Sequence, residues 1–503
     1  MVEIEDLFQP FRNQLMRYSC VDSLLVLHAY IQNLQFDQPM PAQIQVDRSV
    51  VKAKRYDKGY FEWELDLLSR ELIQHAPMAG RYTLRNWAEF ADTLNAIKHL
   101  ENEISGRTGK LLQKYILVEL GRIAYRQFHW QQKPKATTLS RYYKIFGQPE
   151  LAAIVERETG LTPRELYLIG MSLTGHYLHS GVHVFPIDAR EIGITPEKMR
   201  NFLRHFSAPL STLKQLAAET QSHNEDFAFS RNPLAAFPLV HAGWNGRHCV
   251  IAPIPTLLFD RFTAGIYYEI VKNPQFSNTF GSAFQRYVGE VLAVSLGKDR
   301  FTVYPEVEYQ IGKKRKDSAD WIASDPSGSL FIECKTKRMR SDSKIALVDT
   351  SPLLRDLLKV SDFVVQIYKS IQDAKDGHYP HWTSSGTPIF PVIVLLDEWY
   401  LFDPNLEETL NARVVEKLKE WDIDADILSS SPYEIVSCAD FELLMQVVAQ
   451  SGIQSVMSAK HAAGKSKWNM GVFLANEFKA EIGKAKALFR DDIDEIHPSL
   501  VQQ

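Results

Sequence analysis

Apolar residues at helical spacing dominate the first half of the chain. They recur at i, i+3 and i+4 in segments that extend to about residue 235, and two of these segments begin at Thr162-Pro163 and Thr195-Pro196. A Thr N-cap followed by Pro at the first helical position is typical of a helix start. The pattern predicts helices over 20–34, 62–74, 84–103, 110–131, 149–158 and 163–178. Residues 1–235 are therefore predicted to form a mainly helical domain.

The pattern changes after about residue 236, where short β-rich runs appear. Asn245-Gly246, a typical hairpin turn, separates runs at 237–241 and 247–255. A helix is predicted over 279–296, strands over 303–311, 318–324 and 330–335, a helix over 353–374 and a buried strand over 389–396. This order predicts an α+β or α/β core over 236–400. Residues 401–503 are predicted to form a mostly helical C-terminal extension, with one strand near 433–438, that either completes the core or forms a small domain.

Composition narrows the class of protein. The 503 residues carry a net charge of −4, which argues against a uniformly basic nucleic-acid coat protein but leaves room for a local basic patch. No apolar run approaches the 18 residues of a membrane span. The four cysteines lie far apart without a CxxC pair, so neither a disulfide framework nor a structural zinc site is expected. The acidic start of the sequence does not resemble a signal peptide, and a cytoplasmic location is expected.

One predicted hairpin contains the candidate catalytic residues. Asp325-Pro326-Ser327-Gly328 predicts a turn between two strands. If the hairpin closes symmetrically, the numbers of paired residues sum to 653, so Asp320 lies opposite Glu333 and Lys335 lies on the same face. Two adjacent carboxylates repel unless a cation lies between them, and hard oxygen ligands suit Mg²⁺ or Mn²⁺. A metal-activated water beside a lysine can hydrolyse a phosphodiester.

The hairpin resembles the PD-(D/E)xK nuclease superfamily, which has the restriction-endonuclease-like fold. The similarity covers about residues 275–400: Asp320 on one strand is followed thirteen residues later by Glu333-Cys334-Lys335 on the next. The resemblance implies a mixed-sheet nuclease core flanked by helices, and metal-dependent cleavage of nucleic acid. It implies that Asp320 and Glu333 are metal ligands, that the carbonyl of Cys334 is a further ligand, and that Lys335 is the catalytic lysine.

The chain departs from the family pattern at two places. Ala319 replaces the nominal Pro, and Gln285 stands where the preceding helix often carries a glutamate. Glu290, about 140° further around that helix, and Glu306 are alternative sources of a third carboxylate. Gln366, on the following helix, corresponds to a position where relatives sometimes place a supporting polar group.

Basic residues bracket the hairpin. They are expected to hold the phosphate backbone of a nucleic acid, because phosphate contacts dominate affinity for nucleic acids. The alternative is a pair of solvated surface loops. The residues are Lys313, Lys314, Arg315 and Lys316 before Asp320, and Lys337 and Arg338 after Glu333.

These features predict a Mg²⁺-dependent deoxyribonuclease whose helical domain senses or positions the target. The usual function of the family suggests a role in defence against foreign DNA, such as phage DNA. Two alternatives remain open: an RNA-cleaving toxin of the tRNA type with the same fold, and a catalytically silent module for nucleic-acid binding or assembly. The intact trio of Asp320, Glu333 and Lys335 argues against the silent module. A homo-oligomer or a partner protein is compatible with the sequence, and a membrane partner is not expected.

Overall fold

The protein has a mixed α+β fold that divides into two compact units. The computed structural model describes residues 4–114, 116–131, 135–347, 350–401, 404–462, 464–494 and 496. The first unit comprises residues 1–119, 123–274 and 491–503, and the second comprises residues 120–122 and 275–490. Within the described ranges, no helix is both long enough and apolar enough to cross a membrane.

The first unit is mainly helical, as the sequence predicts. Its helices are α1 (Ile4–Leu15), α2 (Cys20–Phe36), α3 (Arg48–Lys52), α4 (Glu62–His75), α5 (Trp87–Lys114), α6 (Ile116–Gln127), α7 (Ala136–Phe146), α8 (Pro149–Thr159), α9 (Pro163–His179), α10 (Pro196–Phe206), α11 (Leu210–Thr220), α12 (Pro255–Phe262) and α13 (Tyr267–Ile270). Short 3₁₀ turns lie at Arg55–Asp57, Phe128–Gln131, Arg190–Ile192, Phe227–Phe229, Pro233–Ala235 and Ala264–Ile266.

The two predicted Thr-Pro helix starts are confirmed at α9 and α10. The Thr162 hydroxyl accepts a hydrogen bond from the Glu165 amide, and the Glu165 carboxylate accepts one from the Thr162 amide. These two reciprocal hydrogen bonds provide acceptors for two backbone amides that would otherwise have none at the N-terminus of the helix. Thr195 caps α10 by accepting a bond from the amide of Lys198.

The predicted boundary at residue 235 does not coincide with the division of the structure. Strands β1 (Val182–Val184), β2 (Ser207–Pro209), β3 (Leu239–Trp244) and β4 (Arg247–Ile251) form one sheet in the order β1-β4-β3-β2. The expected hairpin at Asn245-Gly246 is present, with positive φ at both residues. Because β3 and β4 pair with strands from before residue 235, residues 236–274 belong to the first unit.

The second unit contains a five-stranded sheet, a two-stranded ribbon and several helices. The strands are β5 (Thr302–Pro305), β6 (Glu308–Ile311), β7 (Lys314–Asp317), β8 (Trp321–Asp325), β9 (Gly328–Lys335), β10 (Ile389–Leu395) and β11 (Glu434–Ser437). The helices are α14 (Phe276–Ser295), α15 (Ser341–Lys344), α16 (Ser351–Lys375), α17 (Pro404–Lys419), α18 (Ile427–Ser430), α19 (Cys438–Ser451), α20 (Ile453–His461), α21 (Met470–Glu477) and α22 (Lys479–Ile482). A last helix, α23 (Arg490–Asp494), follows.

The sheet is mixed, in the order β11-β10-β9-β8-β5. β5, β8 and β9 pair antiparallel, whereas β9, β10 and β11 run parallel. β10 is buried at every position, which matches its uninterrupted apolar sequence. Since β11 completes this sheet, residues 401–490 belong to the core unit, which is one of the two arrangements predicted for the segment after residue 400.

The β8–β9 turn fixes the register of the hairpin. One oxygen of the Asp325 carboxylate accepts hydrogen bonds from the amides of Ser327 and Gly328, at 2.8 and 3.0 Å. The other oxygen accepts a bond from the amide of Ile453, at the start of α20, at 3.1 Å. This buried side chain therefore holds the turn from the inside and ties it to a helix that begins more than a hundred residues later in the chain.

The segment between β5 and β8 differs from the predicted single strand over 303–311. Glu306 and Val307 leave the sheet, and β6 and β7 form a separate ribbon that turns at Gly312, whose φ is +60°. Polar and apolar residues alternate in β6, whereas all four residues of β7 are charged, and every side chain of the two strands except the buried Tyr309 is exposed or half-buried. The ribbon is therefore an insertion between two neighbouring strands of the sheet.

Candidate active site

The strand registers align three carboxylates at one edge of the sheet. In the β8–β9 hairpin, Trp321 pairs with Ile332, so the predicted sum of 653 is confirmed. One residue beyond this pair, Asp320 comes opposite Glu333. In the β5–β8 pair, Pro305 lies opposite Trp321, and the same extension brings Glu306 opposite Asp320. Glu306, Asp320 and Glu333 therefore follow one another across three adjacent strands.

The backbone on either side holds Asp320 in place. Its Oδ2 accepts a hydrogen bond from the amide of Cys334 at 2.6 Å, which ties it to β9. The preceding amide, that of Ala319, donates to the Tyr379 hydroxyl at 3.1 Å. Burial, with a smaller contribution from the charge of Glu306, raises the pKa of Asp320 to about 6 against the opposing effects of the Cys334 amide and Lys335.

Glu333 is the most deeply buried acid of the cluster, with 2% of its surface exposed. Its Oε1 accepts hydrogen bonds from Lys335 Nζ at 2.5 Å and from Gln366 Nε2 at 2.7 Å. Burial, together with the charges of Asp320 and Glu306, raises its pKa to about 8 despite the nearby Lys335 ammonium group. Glu333 Oε2 has no hydrogen-bond partner in the described part of the chain.

Lys335 and Gln366 form a small network with Glu333. Lys335 Nζ also bonds Gln366 Oε1, at 3.2 Å, and lies 5.3 Å from the centre of the Phe363 ring. Since both Gln366 and Phe363 come from α16, this helix packs on the face of the sheet that carries Glu333. The predicted supporting position of Gln366 is therefore one that touches both Glu333 and Lys335.

The helix α14 approaches from the opposite face. The indole of Trp321 donates to the Gln285 carbonyl at 2.9 Å and lies against Gly289, where any side chain would collide with the ring. The Gln285 side chain donates to Glu306 Oε2 at 2.9 Å. Gln285 is thus connected to the three acids through Glu306, whereas no hydrogen bond joins Glu290 to Asp320 or Glu333.

The donor set at this edge fits a hard divalent cation. Two neighbouring carboxylates repel each other when both are ionised, and a bound cation removes this repulsion. Carboxylate and carbonyl oxygens are also the ligands that Mg²⁺ prefers. Within the described ranges, no group of three or more His, Cys, Asp or Glu residues is arranged so that it could hold a metal ion. Mg²⁺ does not need three such ligands, because it commonly keeps several waters and uses one or two carboxylates.

Most of the predicted phosphate-binding residues are engaged in ion pairs. Arg315 pairs with Glu308 in the ribbon, and Lys316 contacts Asp373 at 2.6 Å. After the hairpin, Lys337 contacts Asp356 at 2.7 Å and Arg338 contacts Asp397 at 2.6 Å. Lys313 and Lys314, which we call the ribbon-tip lysines, are exposed and have no ion-pair partner among the residues described. They are the members of the predicted set that are available to a phosphate.

Glu306 is the residue that the sequence pattern alone places least well. It lies fourteen residues before Asp320, but the β6–β7 ribbon fills that interval, so counting residues from a turn does not predict that Glu306 lies opposite Asp320.

Comparison of the chain with protein-family models, with curated proteins and with solved structures found no match. The geometry of this edge is therefore what bears on function.

Proposed function

We propose that the chain is a Mg²⁺-dependent nuclease that hydrolyses phosphodiester bonds in DNA. The observation that carries the proposal is the convergence of Asp320, Glu333 and Lys335 at one edge of a mixed sheet, with two acids whose buried charges call for a cation. The element order of helix, three antiparallel strands, helix and parallel strand supports the same assignment. It is the order expected from the resemblance to PD-(D/E)xK nucleases.

The site residues divide between metal binding and phosphate chemistry. Asp320, Glu333 and the carbonyl of Cys334 would hold Mg²⁺ or Mn²⁺, and Glu306, which is hydrogen-bonded by Gln285, would contact waters of the ion. The bound ion supplies a water of lowered pKa and neutralises charge on the phosphate. Lys335 contributes a fixed positive charge next to the reacting phosphate, which stabilises the negative charge that develops in the transition state.

Gln366 acts as a positioning residue in this proposal. It touches both Glu333 and Lys335, so it holds the ammonium group over the carboxylate before substrate arrives. A cation held by Asp320 and Glu333 would compete with Lys335 for the Glu333 carboxylate, and the ammonium group would then be available to a phosphate. In the proposal, Gln366 would thus connect cation binding with the release of Lys335.

DNA is the proposed substrate, and defence against foreign DNA is the proposed role. Both come from the resemblance, since most relatives of this fold cut DNA. The ribbon-tip lysines offer charge to a phosphate backbone without first having to break an ion pair. The two alternatives, RNA cleavage and binding without cleavage, are distinguished by the experiment that follows.

The test is incubation of the full chain with linear DNA, circular DNA and total RNA, each with Mg²⁺, Mn²⁺ or EDTA. We expect metal-dependent cleavage of DNA that falls by orders of magnitude in Glu333→Gln and in Lys335→Ala. Glu416→Gln and Lys359→Ala are matched controls, because both change residues in surface ion pairs of the same unit.

Three results would contradict the proposal in different ways. Cleavage of RNA but not of DNA would favour the RNA-cleaving alternative for this site. Binding of nucleic acid without cleavage under any metal would favour the silent module. Cleavage at the parental rate by both site variants would mean that the hydrolysis occurs at another site.

A further inference from the structure

A cavity of about 170 Å³ lies at the carboxyl ends of β10 and β11 in the second unit. The parallel registers place Lys335, Leu395 and Ser437 side by side in one row across β9, β10 and β11. Leu395 and Ser437 line the cavity, so it opens at the same edge of the sheet as the candidate active site. Ligands of open α/β sheets commonly bind outside the carboxyl ends of the strands.

The size of the cavity favours a small planar ligand. An apolar cavity of about 150 Å³ is sufficient to enclose a benzene molecule, whereas sites for drug-sized ligands measure roughly 300–1,000 Å³. The cavity at this edge therefore favours a single six-membered ring over the fused rings of a purine. The sugar and phosphate that carry such a ring in a nucleotide would remain outside, in solvent.

Aromatic side chains form part of the lining. Trp399 is buried and Tyr400 is half-buried, whereas Trp468 remains 39% exposed. An accessible indole ring offers a stacking surface to a base, and such stacking accepts any base that the available space admits. The exposed Lys467, next to Trp468 in the sequence, adds a positive charge to the same lining.

Neighbouring cations neutralise two of the three acids that line the cavity. Asp397 contacts Arg338 at 2.6 Å, and Glu434 contacts the buried Lys460 at 3.0 Å. Because Arg338 follows β9 and Asp397 follows β10, the first of these ion pairs also connects the candidate active site with the cavity.

The third acid of the lining, Glu398, is largely protonated at neutral pH. Burial, together with the charge of Asp440, raises its pKa to about 8. Asn469 Nδ2 donates a hydrogen bond to Glu398 Oε1 at 2.7 Å. The lining therefore presents two ion pairs, one protonated acid and the ammonium group of Lys467, and this balance of charge admits a strand that carries phosphates.

We infer that this cavity receives one unpaired pyrimidine base of the DNA strand that is cut. The base would stack on Trp468, and Lys467 would contact a phosphate of the same strand. The ends of β9 and β11 are two strand spacings apart, about 10 Å, which corresponds to about three nucleotides at a rise of 3.4 Å. We therefore expect a preference for a pyrimidine about three nucleotides from the cleaved bond. The inference rests on the proposed nuclease function, because it takes the DNA of that function as the ligand.

The test is fluorescence anisotropy of labelled oligothymidylate, oligocytidylate and oligoadenylate of equal length with the full chain in EDTA, so that binding is measured without cleavage. We expect the two pyrimidine strands to bind about fivefold more tightly than the purine strand, or better. Trp468→Ala should weaken pyrimidine binding by about the same factor and leave the purine strand unchanged. Trp468→Phe should keep the preference, because it keeps an aromatic ring. Trp421→Ala is the matched control, since Trp421 is 54% exposed in the same unit but does not line the cavity.

A pyrimidine preference that disappears in Trp468→Ala and persists in both Trp468→Phe and Trp421→Ala supports the inference. A preference that survives Trp468→Ala overturns it, because the flexibility of pyrimidine strands would then explain the difference. Equal affinity for the three strands, no binding of any strand, or an equal loss in Trp421→Ala also overturns it.

Failure of this inference is distinguishable from failure of the nuclease proposal. Cleavage of DNA without a preference that depends on Trp468 refutes the base site alone. A preference that depends on Trp468, without cleavage under any metal, retains the base site and refutes the nuclease.

Discussion

Replacing Glu333 by Gln in the metal-free protein should stabilise it, and by an amount that depends on pH. The substitution keeps the shape of the side chain and removes a carboxylate that is 2% exposed and close to two other acids. Deleting the charge therefore removes an unfavourable contribution to the free energy of folding. In a protein that uses Glu333 only for packing, the same change would be neutral or destabilising.

The magnitude follows from the pKa. Folding raises the pKa of Glu333 from 4.5 to about 8, and each pKa unit corresponds to about 1.4 kcal/mol. A rigid site would thus lose on the order of 5 kcal/mol of stability when Glu333 ionises, and local relaxation lowers this figure. The folded state holds its proton where the unfolded state has released it, so the free energy of unfolding falls as pH rises from about 4.5 to about 8.

Thermal unfolding in EDTA at several pH values measures this effect. Parent and Glu333→Gln should melt together near pH 4.5, and the variant should gain several degrees by pH 8.5, since 1 kcal/mol shifts the melting temperature by roughly 2–4 °C for a domain of 150–250 residues. Glu416→Gln should show no such trend, because its carboxylate is 60% exposed. A Glu333→Gln variant that is less stable than the parent at every pH, or a gain that does not vary with pH, would refute the reasoning.

Three further predictions concern the same unit. Binding of Mg²⁺ should strengthen as pH rises from about 6 to about 8 and should release protons from Asp320 and Glu333, which calorimetry in buffers of different ionisation enthalpy measures; a pH-independent affinity would contradict this. Gln366→Leu should lower kcat with little change in KM, because Lys335 and Glu333 lose their common partner; an unchanged kcat would remove its positioning role. Replacing both ribbon-tip lysines by Ala should flatten the salt dependence of DNA binding more than replacing Arg315 and Lys316, which are already ion-paired; equal slopes would argue against a phosphate contact there.

The sequence predicts the β8–β9 hairpin in detail because neighbouring residues in the turn determine its register. The turn sequence 325–328 supplies its own hydrogen bonds, so the pairing on both sides follows by counting, and the predicted register is confirmed. The same counting places Asp320 beside Glu333 without any knowledge of the rest of the chain. The roles of these residues in catalysis stay predictions.

Non-local features were predicted less well. Glu306 reaches the site only because the β6–β7 ribbon loops out between β5 and β8, and no periodicity gives the size of that loop. The boundary at residue 235 was displaced because β1 has only three residues, too few for a pattern to emerge. β11 was predicted as a strand, but local periodicity does not give its pairing with β10. Which strands join which sheet is decided by pairing between distant segments, and local periodicity does not report it.

The bond between Asp325 and the amide of Ile453 has a consequence for how the protein is made. Translation delivers the hairpin first, and the helix that completes its turn only after more than a hundred further residues have been added. β11, which closes the sheet, is also late. A nascent chain can therefore pair β8 with β9 but lacks the contact that clamps this turn. The proposed catalytic edge would therefore mature only after β11 and the start of α20 have been made, and a shorter nascent chain would lack the completed site.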